Sequence, residues 1–160
     1  MADWVLRGGR LAGGETVDIV VAGGRIAEIG PQTTAQGGRE LALDGRLVLP
    51  GFVDAHMHLD RVYALEDGAP AAESLGEAVA GFFAWRAGLT PERMLSNARR
   101  AAERALLRGT VALRTHVTVD GESGLSQLEL LLRLRDEMAS RLIIQVVAFP
   151  HSPEVDDGRA

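Results

Sequence analysis

Three apolar, β-branched runs after Pro50-Gly51 constrain the fold more than any other feature of the chain. They are Phe52-Val53-Asp54-Ala55-His56, Thr110-Val111-Ala112-Leu113-Arg114-Thr115-His116-Val117 and Leu142-Ile143-Ile144-Gln145-Val146-Val147-Ala148-Phe149. Helical stretches separate them. The first, about Ala72 to Arg86, sets Leu75, Val79, Phe82 and Phe83 at helical spacing. The second opens with Thr90 as N-cap and Pro91 at the first helical position and stops at Gly109. The third runs from about Leu125 to Ser140 and is rich in Leu. Strands that are apolar on both faces and spaced by helices predict a parallel sheet covered by helices, an α/β fold.

The preceding segment obeys a different period. Glycine pairs at Gly8-Gly9, Gly13-Gly14, Gly23-Gly24 and Gly37-Gly38 punctuate short runs such as Val17-Asp18-Ile19-Val20-Val21 and Arg25-Ile26-Ala27-Glu28-Ile29. Tight hairpins need the positive backbone angles that such pairs supply. The reading is a small antiparallel β unit over residues 1–50, with the strand–helix region over 51–160.

Charge and composition narrow the function classes. All 17 basic residues are Arg, dispersed among 22 acids with a net charge of -5, so no basic stripe suggests nucleic-acid binding. The sequence has no Cys, which leaves His and carboxylate as transition-metal ligands. No segment approaches the roughly 18 apolar residues that span a bilayer, and Met1-Ala2-Asp3-Trp4 does not open a secretion signal. No membrane partner is expected, and a cytoplasmic protein is the default.

The chemistry-bearing motif is Asp54-Ala55-His56-Met57-His58-Leu59-Asp60, at the end of the first parallel strand. Residues two apart in a strand share a face, so His56 and His58 project together and make half of a metal site. In a parallel α/β barrel the C-terminal ends of strands meet over the mouth, where active sites lie.

The phrase Leu49-Pro50-Gly51-Phe52-Val53-Asp54-Ala55-His56-Met57-His58, after a glycine-punctuated β segment, resembles the signature of the metal-dependent amidohydrolase superfamily. Within it the cytosine deaminase group is similar at His56-Met57-His58-Leu59-Asp60, Arg114-Thr115-His116-Val117 and Gln145-Val146-Val147-Ala148-Phe149-Pro150, in the same order. The resemblance implies a partial (β/α)8 TIM-type barrel over 51–160, preceded by the N-terminal part of the amidohydrolase β-sandwich domain. It implies that His56 and His58 bind one divalent ion, zinc or iron. It implies a hydrolase of carbon–nitrogen bonds other than peptide bonds, deaminating a nitrogen heterocycle: a water whose pKa the ion lowers toward about 7 attacks a ring carbon bearing an amino or oxo group. The remaining ligands, and the Glu and His that shuttle protons, belong to family segments outside this sequence.

Three residues are expected on the substrate side. Leu75 matches the family's apolar contact to the substrate ring, although helical spacing also suits a core position. His116, ending the second strand, faces the pocket, donates from behind the ligands or is a satisfied structural histidine. His151 departs from the family, which has Gln after the Phe-Pro pair; an imidazole offers a different hydrogen-bonding pattern, so the substrate is expected to differ from cytosine. Arg114 is expected to be buried with a carboxylate partner. Asp54 and Asp60 either orient an imidazole or are solvated.

A complete barrel of this kind takes eight strands and about 250 residues, against three barrel strands here. The expectation is an inactive fragment, from a truncated reading frame, a cut polypeptide or one half of a split protein, with homo-oligomerisation open. The alternatives are a dihydroorotase- or hydantoinase-type cyclic amidohydrolase, whose bridging carboxylated Lys has no counterpart in this Lys-free segment, and a non-catalytic remnant with an idle His pair.

Overall fold

The computed structural model describes residues 2–35, 37–121 and 123–150, in two compact units divided after Pro50. The first unit contains β1 (Trp4–Arg10), β2 (Thr16–Ala22), β3 (Arg25–Gly30) and β4 (Arg39–Ala42), in the sheet order β3-β2-β1-β4. Gly23 and Gly24 have φ of 59° and 70°, the doubly positive turn that a two-residue hairpin demands, and they bring Ala22 opposite Arg25. The sheet is not wholly antiparallel as the glycine pairs suggest. β4 runs parallel to β1, with Trp4 opposite Arg39, because the connection after β3 crosses back to the far edge instead of turning in a hairpin.

Val5, Val17, Ile19 and Val20 form the buried apolar set of this sheet. Asp18 is buried beside them and is satisfied by the Gly8 amide at 2.9 Å, the Arg7 guanidinium at 3.0 Å and the Thr33 amide at 3.2 Å. Those three donors, the Gly8 amide first, hold its carboxyl below the usual carboxylate range.

The second unit has β5 (Phe52–Met57), α1 (Leu75–Arg86), α2 (Pro91–Leu107), β6 (Thr110–Val119), α3 (Ser126–Met138) and β7 (Ile143–Pro150). Its strands are all parallel, in the sequential order β5-β6-β7. Sequential parallel strands backed by helices are the arrangement of one sector of a (β/α)8 barrel. The Thr90 hydroxyl accepts from the Arg93 amide at 3.2 Å to start α2, and Gly109, at φ 90°, turns the chain into β6.

One face of β6 explains the packing. Leu113 and Val117 are buried against Met94, Ala98 and Ala102 of α2 and Leu130, Leu131 and Leu134 of α3. The alternate residues, Arg114 and His116, project to the opposite face. Arg114 is therefore exposed, not buried, and its Nε donates to the Gln145 side-chain oxygen at 2.6 Å instead of pairing with a carboxylate. The apolar run of β6 signals the helix-facing side alone. Helix α1 stays outside this core, its N-terminus fixed by the Ser74 hydroxyl accepting from the Glu77 amide at 3.2 Å.

Candidate metal and substrate site

β5 delivers His56 and then His58 at its C-terminal end, and β6 lies alongside with His116. The rings of His56 and His58 are 5.3 Å apart and edge-on, His116 stacks on His56 at 4.3 Å, and His58 and His116 stand 5.8 Å apart. Three imidazoles thus converge above the parallel sheet. Among the described residues no group of three or more His, Cys, Asp or Glu side chains is arranged to ligate one ion.

A single hydrogen bond fixes the chemistry of His58. Its Nδ1 lies 2.9 Å from the backbone oxygen of His116. A carbonyl only accepts, so Nδ1 carries the proton, and in the neutral ring Nε2 is left with the lone pair. Burial lowers the pKa of His58, and the nearby Arg61 charge adds to the effect against the opposing Asp60. Neutral imidazole with a free Nε2 is the form that ligates metals.

Two backbone ties hold that ring in place. The Leu59 amide donates to the Thr115 hydroxyl at 2.8 Å, and the Thr118 amide donates to the Asp60 carboxylate at 3.0 Å. Asp60 is fully buried, not solvated, and also receives the Arg61 guanidinium at 3.3 Å. Its nearer oxygen is 3.7 Å from His58 Nδ1. Asp54 differs: its carboxylate accepts from the His56 backbone amide at 3.2 Å and so braces the chain, not a ring. The Nδ1 of His116 is buried with no hydrogen bond, a polar atom turned inward without a partner among the described residues.

A cavity of about 460 Å³ has a wall that includes Arg61, Leu75, Val79, Phe82, Phe83 and Phe149. The Phe149 ring is edge-on to His58 at 6.2 Å, linking the cavity to the histidines. Leu75 is 81% exposed at the first turn of α1 and lines this cavity, so its helical spacing does not make it a core residue. His151 lies outside the described residues.

Asp60, Arg61, Thr115, Thr118 and Phe149 are the site residues that sequence reading leaves unassigned or undecided. The signal for the threonines is their position, polar and β-branched within an apolar strand, where burial demands a hydrogen-bond partner.

Comparison with known proteins follows the same lines. A model of the amidohydrolase family matches residues 39–148. The N-isopropylammelide isopropyl amidohydrolase of Pseudomonas sp. (strain ADP) is 30% identical over 165 residues, spanning 94% of this chain and 39% of that protein. The crystal structure of N-isopropylammelide isopropylaminohydrolase from Burkholderia multivorans ATCC 17616 superposes with a TM-score of 0.81 at 32% identity, over 95% of this chain and 38% of that one. The 5-methylcytosine deaminase from Klebsiella pneumoniae, liganded with 5-fluorocytosine, superposes with a TM-score of 0.75 at 30% identity, over 91% and 36%. The chain therefore spans 36% to 39% of the length of these relatives. Among the described residues, no helix is long and apolar enough to cross a membrane.

Proposed function

Because this chain belongs to the amidohydrolase family, we propose that it contributes His56 and His58 as ligands of one divalent ion, zinc or iron, in a hydrolase that removes an amino or alkylamino group from a nitrogen heterocycle. The observation that carries the reading is the 2.9 Å bond from His58 Nδ1 to the His116 carbonyl, which keeps Nε2 unprotonated. When bound, the ion supplies Lewis acidity and a more acidic water for attack on a ring carbon. The chain's own residues orient and exclude. Thr115 and Asp60 pin the backbone on either side of the His58–Asp60 step. His116, stacked on His56, is the substrate-side imidazole, and Leu75 and Phe149 form the apolar wall.

The nature of the ligands suits zinc and iron alike. The names of the similar proteins, acting on N-isopropylammelide and 5-methylcytosine, support a substituted triazine or pyrimidine as the substrate class.

The test is metal content and turnover in a full-length version that carries the family's remaining ligands, and in its His56→Ala and His58→Ala variants. Each replacement is expected to lower bound metal at least tenfold and to abolish release of ammonia or amine. Full metal content and turnover in both variants would sink the assignment, as an idle His pair is indifferent to its loss.

A further inference from the structure

His56 and His58 are held by different means. The Nδ1–H of His58 donates to the His116 backbone oxygen at 2.9 Å, which sets both the tautomer and the direction of that ring. Among the described residues the His56 ring makes no hydrogen bond; only its backbone amide is tied, to the Asp54 carboxylate at 3.2 Å. Nor does the sheet fix it. The pairing of β5 with β6 shifts register between Asp54 and Met57, on either side of His56. A shift of this kind re-aims a side chain, and a ligating imidazole ordinarily has a partner that holds its direction.

The His116 ring is that partner. It stacks on His56 at 4.3 Å between centroids, with 26° between the planes. His116 is the better anchored of the two. It lies on β6, the middle strand, which pairs with β7 without interruption from Ala112 to Val119 and sets His116 opposite Val147. His56 is exposed and sits on the edge strand. The buried Nδ1 of His116 has no hydrogen bond among the described residues, so that nitrogen does not anchor the ring. What His116 offers His56 is a flat face.

We propose that His116 is the positioning residue for both ligands, its backbone oxygen orienting His58 and its ring plane orienting His56, and that the second duty requires a flat ring but no ring nitrogen. The proposal rests on the ligand reading of His56 and His58 above and adds to it the device that aims the pair.

The experiment compares the wild type with His116→Phe and His116→Leu. Phe keeps a flat ring and removes a buried polar atom that has no partner, whereas Leu fills space without a face to stack on. Every variant keeps the backbone oxygen at position 116, so the Nδ1–H tautomer of His58, read from its ring nitrogen shifts in the metal-free 160-residue chain, is expected in all three. In the same spectra the His56 ring protons are expected upfield in the wild type and in H116F, under an aromatic face, and at the free-imidazole position in H116L. Zinc affinity of the full-length version, by chelator competition, is expected to fall about tenfold in H116L and to stay within about twofold of wild type in H116F.

An H116F loss equal to that of H116L would show that the nitrogen counts and would overturn the proposal, as would His56 ring protons unmoved in H116L. Full metal retention by His56→Ala would instead defeat the ligand reading, while the ring-proton shifts, taken without metal, decide the stacking role on their own. If H116L does not fold, the wild-type and H116F spectra decide: His56 ring protons at the free-imidazole position in either would overturn the proposal.

Discussion

The Thr118 amide and the Asp60 carboxylate meet at 3.0 Å across 58 residues of chain, joining the loop after β5 to the end of β6. Asp60 is buried, and the same carboxylate holds Arg61. Replacing it by Ala strips a buried amide of its acceptor and takes from the Arg61 guanidinium its carboxylate partner. Asp60→Ala is expected to cost about 2–3 kcal/mol of stability by urea unfolding, with Asp60→Asn recovering part of that. A cost below about 0.5 kcal/mol would show that the tie is not maintained in solution.

Thr115 offers a cleaner substitution, since Val has nearly its shape. The hydroxyl of Thr115 accepts from the Leu59 amide at 2.8 Å in a fully buried setting. Thr115→Val is expected to lose about 1–3 kcal/mol by leaving that amide unsatisfied, and Thr115→Ser to lose less. Metal affinity is expected to fall about tenfold in the Val variant, measured by chelator competition, because Leu59 adjoins His58.

Arg86 and Asp120 form a buried pair at 2.6 Å. Burial pushes the Asp120 carboxyl up, but the Arg86 bond and the Ser123 amide and hydroxyl outweigh it and hold the pKa at about 2. A depressed folded-state pKa means stability that is fully present above the unfolded value, near 4, and lost as pH falls through the folded one. The urea midpoint is expected to drop between about pH 4 and pH 2 in the wild type and to flatten over that window in Asp120→Asn. An unchanged pH profile in that variant would refute the assignment.

The 160-residue polypeptide, supplied with zinc or iron(II) and cytosine, creatinine or an aminotriazine, is expected to release no ammonia at enzyme-like rates. Two imidazoles do not hold an ion in catalytic geometry, and the described residues offer no third ligand beside them. Ammonia production at such rates would show that the residues present suffice.

Much of the fold is legible in the sequence because its signals are local. Thr90, Pro91 and Gly109 bracket α2 through capping chemistry, and the apolar runs mark the parallel strands. What escapes is whatever depends on a partner far along the chain. The direction of β4 beside β1 is invisible to a period of two, which specifies faces and not polarity. Helical spacing groups Leu75 with Val79 and Phe82 but does not say whether a core or a cavity lies opposite. The spacing of His56 and His58 is readable, whereas the protonation of His58 depends on a carbonyl contributed by the next strand.

That dependence ties register to reactivity. β6 presents the Thr115 hydroxyl to Leu59 and the His116 oxygen to His58 in consecutive steps. Sliding the strand by one residue would turn Thr115 toward the opposite face and carry the His116 oxygen away from the imidazole. The alignment of two strands is thereby written into which nitrogen of one ring bears a proton, and the same slip would turn Leu113 and Val117 out of the core with Thr115.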